Sequence, residues 1–541
     1  MKGAHFQRWP QPRFLLRGLV LGLLFLLGGP PILAGEPDPK LVLQDVRRLL
    51  KNKSGLPLDV RTQADQLAAY YGRPDAAILW LKPERNAELV SALAGLTAIG
   101  VTNMDPAVSR IEMRKQALNS DDTSLLALVE LTFSATLLEA AQHLRLGQMH
   151  RYRDKLHPRT RQRFLYGDRV LARAASGQSI TDLLSLLEPQ TADYQTIRRK
   201  LIQYVLVQKN GGWPSILPGP DLKPGDVAPR VADLRQRLQT TGYLPPSSAR
   251  SETFDAPLAE ALRLFQRQHA LPATGTLDRR TLMTLNIPVR DRIAQLAANL
   301  ERWRWFEDIP EGALWIINTN IGRLELRDFG GKRQDLKVAV DSACTELPTF
   351  DSAIDHVVFS PSYTVPQSIA ARYVLPVLQT KPESLDPSVV LRADRSLLGS
   401  RTVDWKSFSE LNFPVSVAQN PGPTNLLGGF QMPLKDEASV SIHGRPASDP
   451  KLPIPRNLWP ACVAFGPAES VADLMSAAGL DASAHDVAIN VSRRVDLKTP
   501  VPVIFLYATV WLDQGGGVVF GPDPHGLDAP LIRKLTTTPS S

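Results

Sequence analysis

The hydrophobic period of this chain changes along its length. From about Leu41 to Leu217, apolar residues recur at spacings of three and four, as in Leu125, Leu128, Val129 and Phe133, then Leu137, Leu138 and Ala141. That is the period of helices with one buried face. Asn210-Gly211-Gly212-Trp213-Pro214, with Pro218, Pro220, Pro224 and Pro229 beyond, reads as a linker, because Gly and Pro interrupt regular structure. Val231 to Asn286 then reads as three short helices. Val231, Leu234 and Leu238 line the first, which Thr241-Gly242-Tyr243 stops. Pro257 opens the second, with Leu258, Leu262 and Phe265 on one face, and Asp278 can cap a third through Leu282 and Leu285. A helical connector runs from Arg290 to Phe306.

Beyond the connector the period falls to two. Leu314 to Asn320, Leu324 to Arg327, Lys337 to Val340, His356 to Ser360, Ser439 to Ile442 and Val503 to Leu506 read as short strands between turn signals. The pattern predicts a β-sandwich or related all-β core. Between Pro366 and about Leu427 the strand signal lapses. Ser368 to Leu378 and Asp404 to Leu411 read as helical, and this insertion is expected to cap a site. The fold class expected is multi-domain α+β. It comprises a helical scaffold over residues 36–225, a three-helix module over 230–287, a connector over 288–312, a mainly-β domain over 313–512 with a partly helical cap at about 367–427, and a tail over 513–541.

The amino end bears on location. Arg8, Arg13 and Arg17 precede an uncharged apolar run from Gly18 to Leu27, and small residues follow at Ala34 and Gly35. This is the layout of a secretory signal over residues 1–34, cleaved after Ala34. The alternative is an uncleaved single inner-membrane anchor. Either way the body is expected to be exported, to the periplasm. Removing Lys2, Arg8, Arg13 and Arg17 with this lead takes the formal charge from +8 to +4. A mild, dispersed charge gives no case for a nucleic-acid partner. His143, His150 and His157 recur every seven residues without accompanying carboxylates or cysteines at ligand spacing, so they predict no metal site.

The chemistry centres on a rare thiol. Cys344 and Cys462 are the 2 cysteines of the chain, and His443 ends a predicted strand nineteen positions before Cys462. A thiolate attacks carbonyl carbon, and an imidazole beside it lowers the thiol pKa from its usual value of about 8.5 and can protonate a leaving amine. Five prolines in the stretch Arg445 to Pro460, Pro460 included, restrict the return from the histidine to the cysteine. Backbone N–H groups at Gly444 and Ala461 are candidates for polarising a substrate carbonyl. A Cys344–Cys462 disulfide and a rival Cys344/His356 pair are the other arrangements open to these residues.

Several stretches together resemble a known family. The module with Leu234-Arg235-Gln236-Arg237-Leu238, Ala261 to His269 and Thr274-Gly275-Thr276-Leu277-Asp278 resembles the three-helix peptidoglycan-binding domain. Asn299 to Trp305, Val358 to Ala370, Gln419 to Gly428, Ile442-His443-Gly444, Cys462-Val463 and Ala468 to Leu474 resemble the L,D-transpeptidase catalytic domain of the YkuD type, in its YcbB-like multi-domain branch. The resemblance implies that Cys462 attacks the carbonyl of the third residue of a tetrapeptide stem. D-alanine then leaves, protonated by His443, and the acyl group passes to an amine of another stem as a 3→3 cross-link. A wall-anchored protein lysine or water are the other acceptors. It implies no cofactor and no metal. Trp459, Pro460 and Ala461 stand where the family carries polar or small residues before the nucleophile, and Ala464 stands where many members carry Arg. A second reading is therefore a catalytically impaired homologue that serves as a peptidoglycan-binding scaffold.

Overall fold

The computed structural model describes residues 37–536, apart from 102–103, 150–164, 248–249, 307–312, 329–332, 341–348, 395, 436, 451, 460–462, 466–467 and 481–490. The expected signal, Cys344, Pro460, Ala461, Cys462, His150 and His157 lie outside the described residues.

The amino-terminal region is helical, as its period predicts. Its core helix, Thr123–Leu146, buries most of its side chains against the surrounding helices. Asp122 caps it by accepting from the Ser124 and Leu125 amides. Among the described residues this helix is long and apolar enough to cross a membrane by length and composition, and its apolar surface is spent on the scaffold core. His143 is buried in its last turn.

The three-helix module consists of Pro229–Thr240, Ala256–Arg267 and Arg279–Leu285. Asp255 and Asp278 accept from the Leu258 and Thr281 amides at 3.0 and 2.7 Å, closing the open N-termini of the second and third helices. Gln266 is buried without exposure and ties the last turn-and-helix together. Its Nε2 donates to the Thr276 carbonyl and the Thr281 hydroxyl, while its Oε1 accepts from the Gly275 amide. His269 is structural: its Nδ1 lies 2.7 Å from the Phe265 carbonyl and its ring stacks on Phe265. Burial holds it well below the usual histidine range, hence neutral.

The carboxy-terminal region is a closed barrel, where a sandwich or related all-β core is the sequence expectation. Its strands are β1 (Leu314–Asn318), β2 (Arg323–Arg327), β3 (Arg333–Val340), β4 (Phe350–Phe359), β9 (Phe430–Leu434), β10 (Glu437–His443), β11 (Val463–Phe465) and β12 (Arg493–Leu506), in the order β1-β12-β4-β9-β10-β11-β3-β2. Two parallel pairings close it, β1 with β12 (Trp315 opposite Val503) and β10 with β11 (Ile442 opposite Val463). Local alternation does not encode pairings between strands so far apart in sequence. Strand β1 and the Val501–Leu506 end of β12 are apolar on both faces because both faces are covered. Trp315, Ile317, Val503 and Phe505 fill the barrel, whereas Leu314, Ile316, Ile504 and Leu506 pack on the helices outside it.

The insertion is a cap that is only partly helical. Gln367 to Thr380 forms a helical run with a π-turn at Ala370–Val374. The strand signal does not lapse there as expected. Short strands β5 (Tyr363–Thr364), β6 (Val389–Ala393), β7 (Ser396–Leu398) and β8 (Ser416–Gln419) form a sheet in the order β5-β8-β6-β7. Asp404 to Leu411 holds one 3₁₀ turn, Trp405–Ser407, rather than a helix. The helix-like spacing of Trp405 and Phe408 arises from rings packing with Phe413, with centroids 6.1 to 6.5 Å apart. The stretch expected as a tail contributes β14 (Val518–Phe520), paired with β13 (Val510–Leu512), and a helix, Asp528–Thr536.

The connector is a spine helix, Val289–Trp303, whose polar side chains point into both neighbours. Asn299 accepts from the Thr509 and Val510 amides of the barrel region and donates to the Thr509 hydroxyl. Arg302 donates to Asp528 at 2.6 Å. Toward the scaffold, Glu301 accepts from the Gln148 and Met149 amides at 3.0 and 2.9 Å, and from Trp305 Nε1 at 3.0 Å. Arg304 donates to the Ile99 carbonyl and to the Tyr194 hydroxyl, and lies 3.6 Å from Glu301. Glu301 and Arg304 are both fully buried. A Cβ on Gly147 would come within 2.5 Å of Glu301 Oε1, so only glycine, here at φ +84, allows the approach.

Removing one partner from such a buried ionic set costs about 3–5 kcal/mol, because it strands the other charge. Glu301→Ala is thus expected to lower the urea unfolding free energy of the full chain by about that amount. Glu260→Ala, which breaks an exposed pair with Arg263, should leave the midpoint essentially unmoved.

Candidate active site

His443 is the last residue of β10, 3 % exposed, with β9 on one side (opposite Gln431) and β11 on the other (opposite Ala464). Its Nδ1 lies 2.7 Å from the Gly444 carbonyl oxygen. A carbonyl can only accept, so Nδ1 carries the proton and Nε2 is the ring nitrogen left to take one up. The imidazole is thereby oriented and held in one tautomer.

Gly444 serves the same end. Its amide donates to the Phe430 carbonyl at 3.0 Å and its carbonyl holds His443. Both groups are engaged in building the site, so neither is offered to a substrate carbonyl. A side chain at Gly444 would press on the Gly429 amide and the Leu427 carbonyl, at 3.2 and 3.4 Å.

Beneath this strand end lies a loop whose structural part is not evident in sequence patterning. Asn425 is fully buried and satisfies three carbonyls, those of Pro361, Gln419 and Asn420, at 2.9 to 3.2 Å, while its Oδ1 accepts from the Leu427 amide. Gln419, also fully buried, donates to the Thr424 carbonyl and accepts from the Leu426 amide. The loop ends at Gly428, φ +66, where a Cβ would meet the Arg445 backbone N and O at 2.6 and 2.5 Å and the Gly444 carbonyl carbon at 2.7 Å. The loop backbone is thus pressed against the peptide that holds His443. The turn-rich run Asn420-Pro421-Gly422-Pro423-Thr424-Asn425 is the sequence signal for such a loop.

The segment from Arg445 to Trp459 returns under the cap. Leu452 and Ile454 are buried in the cap core with Trp405, Phe413, Val417, Leu426 and Leu427, and Leu458 and Trp459 pack against it. Trp459 Nε1 donates to the Ile454 carbonyl at 3.1 Å. The tryptophan that departs from a polar residue therefore anchors this segment to the cap. Arg456 is exposed, lies 5.6 Å over the Trp459 ring and pairs with Asp449 at 3.8 Å. Ala464 lies in β11 between His443 and Ala339. Of the expected pair, the structure describes His443. Cys462 and Ala461 immediately precede Val463, which opens β11 opposite Ile442. His356, of the rival pair, lies on β4 with Nδ1 2.6 Å from Asp355. Among the described residues there is no group of three His, Cys, Asp or Glu able to hold a metal ion.

Comparisons with known proteins agree with the helical parts of this architecture. Residues 65–201 match a family model described as "Scaffold domain", and residues 227–285 match one described as "Putative peptidoglycan binding domain". The chain thus carries a domain of the peptidoglycan-binding type. Among solved structures, the chain is similar to the L,D-transpeptidase (residues 123–326) from Xylanimonas cellulosilytica DSM 15894. The identity is 12%, the match covers 54% of this chain and 100% of that one, and the TM-score is 0.14. No curated protein matches.

Replacing Asn425 by Ala strands three buried carbonyls, and an orphaned buried group costs about 1–3 kcal/mol. Gly428→Ala adds a strained φ, worth about 1–3 kcal/mol, to a direct backbone overlap. Both variants should show clearly lowered denaturation midpoints, whereas Gly429→Ala, with nothing within 4 Å of the new carbon, should melt like the parent.

Proposed function

We propose that the chain is an L,D-transpeptidase acting on peptidoglycan stem peptides outside the inner membrane. The observation that supports this most is the placement of His443: buried, fixed in one tautomer, and on a strand that runs parallel to the one that follows Cys462. The matched peptidoglycan-binding domain supplies the matching substrate class.

In this reading His443 Nε2 takes the thiol proton, and the Cys462 sulfur attacks the carbonyl carbon of the third stem residue. The C–N bond to the terminal D-alanine breaks and the proton passes to the departing amine. The thioester is then taken by the side-chain amine of a second stem, which gives a 3→3 cross-link and frees the thiol. A lysine of a wall-anchored protein or water are the other acceptors. One acyl bond is exchanged for another, so the reaction draws on no nucleotide, metal or cofactor. The Ala461 amide is the donor assigned to the developing oxyanion. The basic, apolar lead at residues 1–34 fits export to the periplasm, with a single inner-membrane anchor as the form taken if it is not cleaved.

A second reading, a wall-binding scaffold without turnover, is favoured by Trp459 packing into the cap core and by Ala464 beside His443. Turnover separates the two. The purified chain incubated with a tetrapeptide-bearing disaccharide should release D-alanine and form a 3→3 dimer, and Cys462→Ala should lose both signals completely. Binding of sacculi with neither product would establish the scaffold reading.

A further inference from the structure

Three cations meet where the wall-binding module joins the rest of the chain, and none has a carboxylate partner. Lys200 comes from the scaffold helix Ala192–Lys209, Arg237 from the first helix of the module, and Arg292 from the spine helix. Arg237 donates to the Leu285 carbonyl and the Thr241 hydroxyl, and Arg292 to the Gln295 side-chain oxygen. All of these acceptors are neutral. Asp291, the carboxylate beside Arg292 in sequence, pairs with Arg290 at 3.4 Å and attracts Arg292 only from beyond ion-pair distance. Among the described residues, no carboxylate lies within ion-pair distance of any of the three.

Aromatic faces stand in the place of counter-charges. Lys200 Nζ is 4.9 Å above the Tyr204 ring and 5.6 Å above Tyr243. Arg237 Cζ is 3.9 Å above Trp213, and Arg292 Cζ is 4.9 Å above Phe520. Cation–π contacts favour each cation singly and do nothing to relieve their mutual repulsion. That repulsion is felt. Burial and Arg237 bring Lys200 down to about 8, and burial, with Arg292 adding to it, brings Arg237 down to about 10. A second, independent feature is Tyr243, whose hydroxyl is buried in the same cluster with no hydrogen-bond partner. Arg237 and Arg292 are buried, whereas Lys200 and Tyr243 are half-buried, so the solvent-facing side of the cluster is formed by Lys200 and the Tyr243 ring.

We propose that this junction is a binding site for a carboxylate, brought by a stem peptide of the glycan strand that the adjoining module holds. A carboxylate supplies the missing charge, matches the guanidinium fork of Arg237 or Arg292, and accepts from the Tyr243 hydroxyl. The site spans scaffold, module and spine, so an occupied site fixes the module against the body of the chain. The proposal rests on the peptidoglycan-binding match and not on the chemistry at His443, so it stands or falls separately from the transpeptidase reading.

The test uses the full chain and a disaccharide bearing a tripeptide stem, which has no terminal D-alanine to lose. Acetylation of individual lysines is followed by peptide mass spectrometry at pH 8, near the Lys200 pKa of about 8. The stem peptide with free carboxylates should slow acetylation of Lys200 by about tenfold and leave exposed lysines such as Lys223 unchanged. The same peptide with its carboxylates amidated should protect by less than about twofold. By calorimetry, Lys200→Gln should bind the free-carboxylate peptide about tenfold more weakly, with its melting midpoint retained. Absence of protection, or equal protection by the amidated peptide, would overturn the site. Equal protection by inorganic phosphate at the same concentration would overturn its assignment to a stem peptide.

Discussion

The structure depends on a buried ionic set on one helix. Glu301 has lost all contact with water and spends its oxygens on two backbone amides at the end of the scaffold core helix, on the Trp305 indole and on Arg304. Three positions along, Arg304 reaches back to the Ile99 carbonyl and the Tyr194 hydroxyl. Asn299 and Arg302 on the same helix grip Thr509 and Asp528 of the barrel region. Burying charge is expensive unless every lone pair and proton is matched, and such matching tolerates one geometry. The spine therefore sets the barrel against the scaffold by hydrogen-bond direction as well as by apolar contact. Asp528 also accepts from the Thr509 hydroxyl, so the carboxy-terminal helix is part of the same assembly.

The candidate site follows the same logic at a smaller scale. The position of His443 is fixed by a strand end, a carbonyl and a loop, and each is over-determined by buried polar groups. Asn425 and Gln419 satisfy the loop from within, Gly428 lets it touch the Gly444–Arg445 backbone, and Gly444 turns its carbonyl onto Nδ1. An imidazole held in this way has little orientational entropy left to lose. The cap closes over the segment that leads from His443 toward Cys462, with Trp459 as its apolar anchor. Trp459 thus has a structural use, packing against the cap core and holding the Ile454 carbonyl.

Much of this was legible in the sequence, and the gaps have physical causes. The helical regions declare themselves through their period, and the caps Asp255 and Asp278 mark two module helices. Strand β1 and the Val503–Leu506 end of β12 are readable although apolar on both faces, because β-branched and aromatic residues dominate them. Barrel closure is not readable, since it rests on pairs such as Trp315 with Val503. Cap strands β5, β7 and β8 escape because they span two, three and four residues, too short for alternation to register. The stretch from Asp404 to Leu411 imitates a helix because Trp405 and Phe408, whose rings pack together, stand three residues apart. Asn299, Glu301, Arg302 and Arg304 are visible in sequence as a motif, but only the fold shows that their polar ends point in opposite directions. For the site, His443 and its strand are legible, whereas the part played by Asn425 and Gly428 depends on a backbone contact that residue types do not reveal.

The most direct measurement of the central claim is the pH dependence of thiol reactivity at Cys462. Alkylation by a neutral reagent, resolved from Cys344 by peptide mapping, reports how much of the thiol is already thiolate. If the His443 imidazolium lowers the thiol pKa as proposed, the rate at pH 6 should be close to that at pH 8, and His443→Gln should show a marked loss of the pH 6 rate. A rate that climbs as for a free thiol, with a midpoint of about 8.5 and no response to His443→Gln, would contradict it.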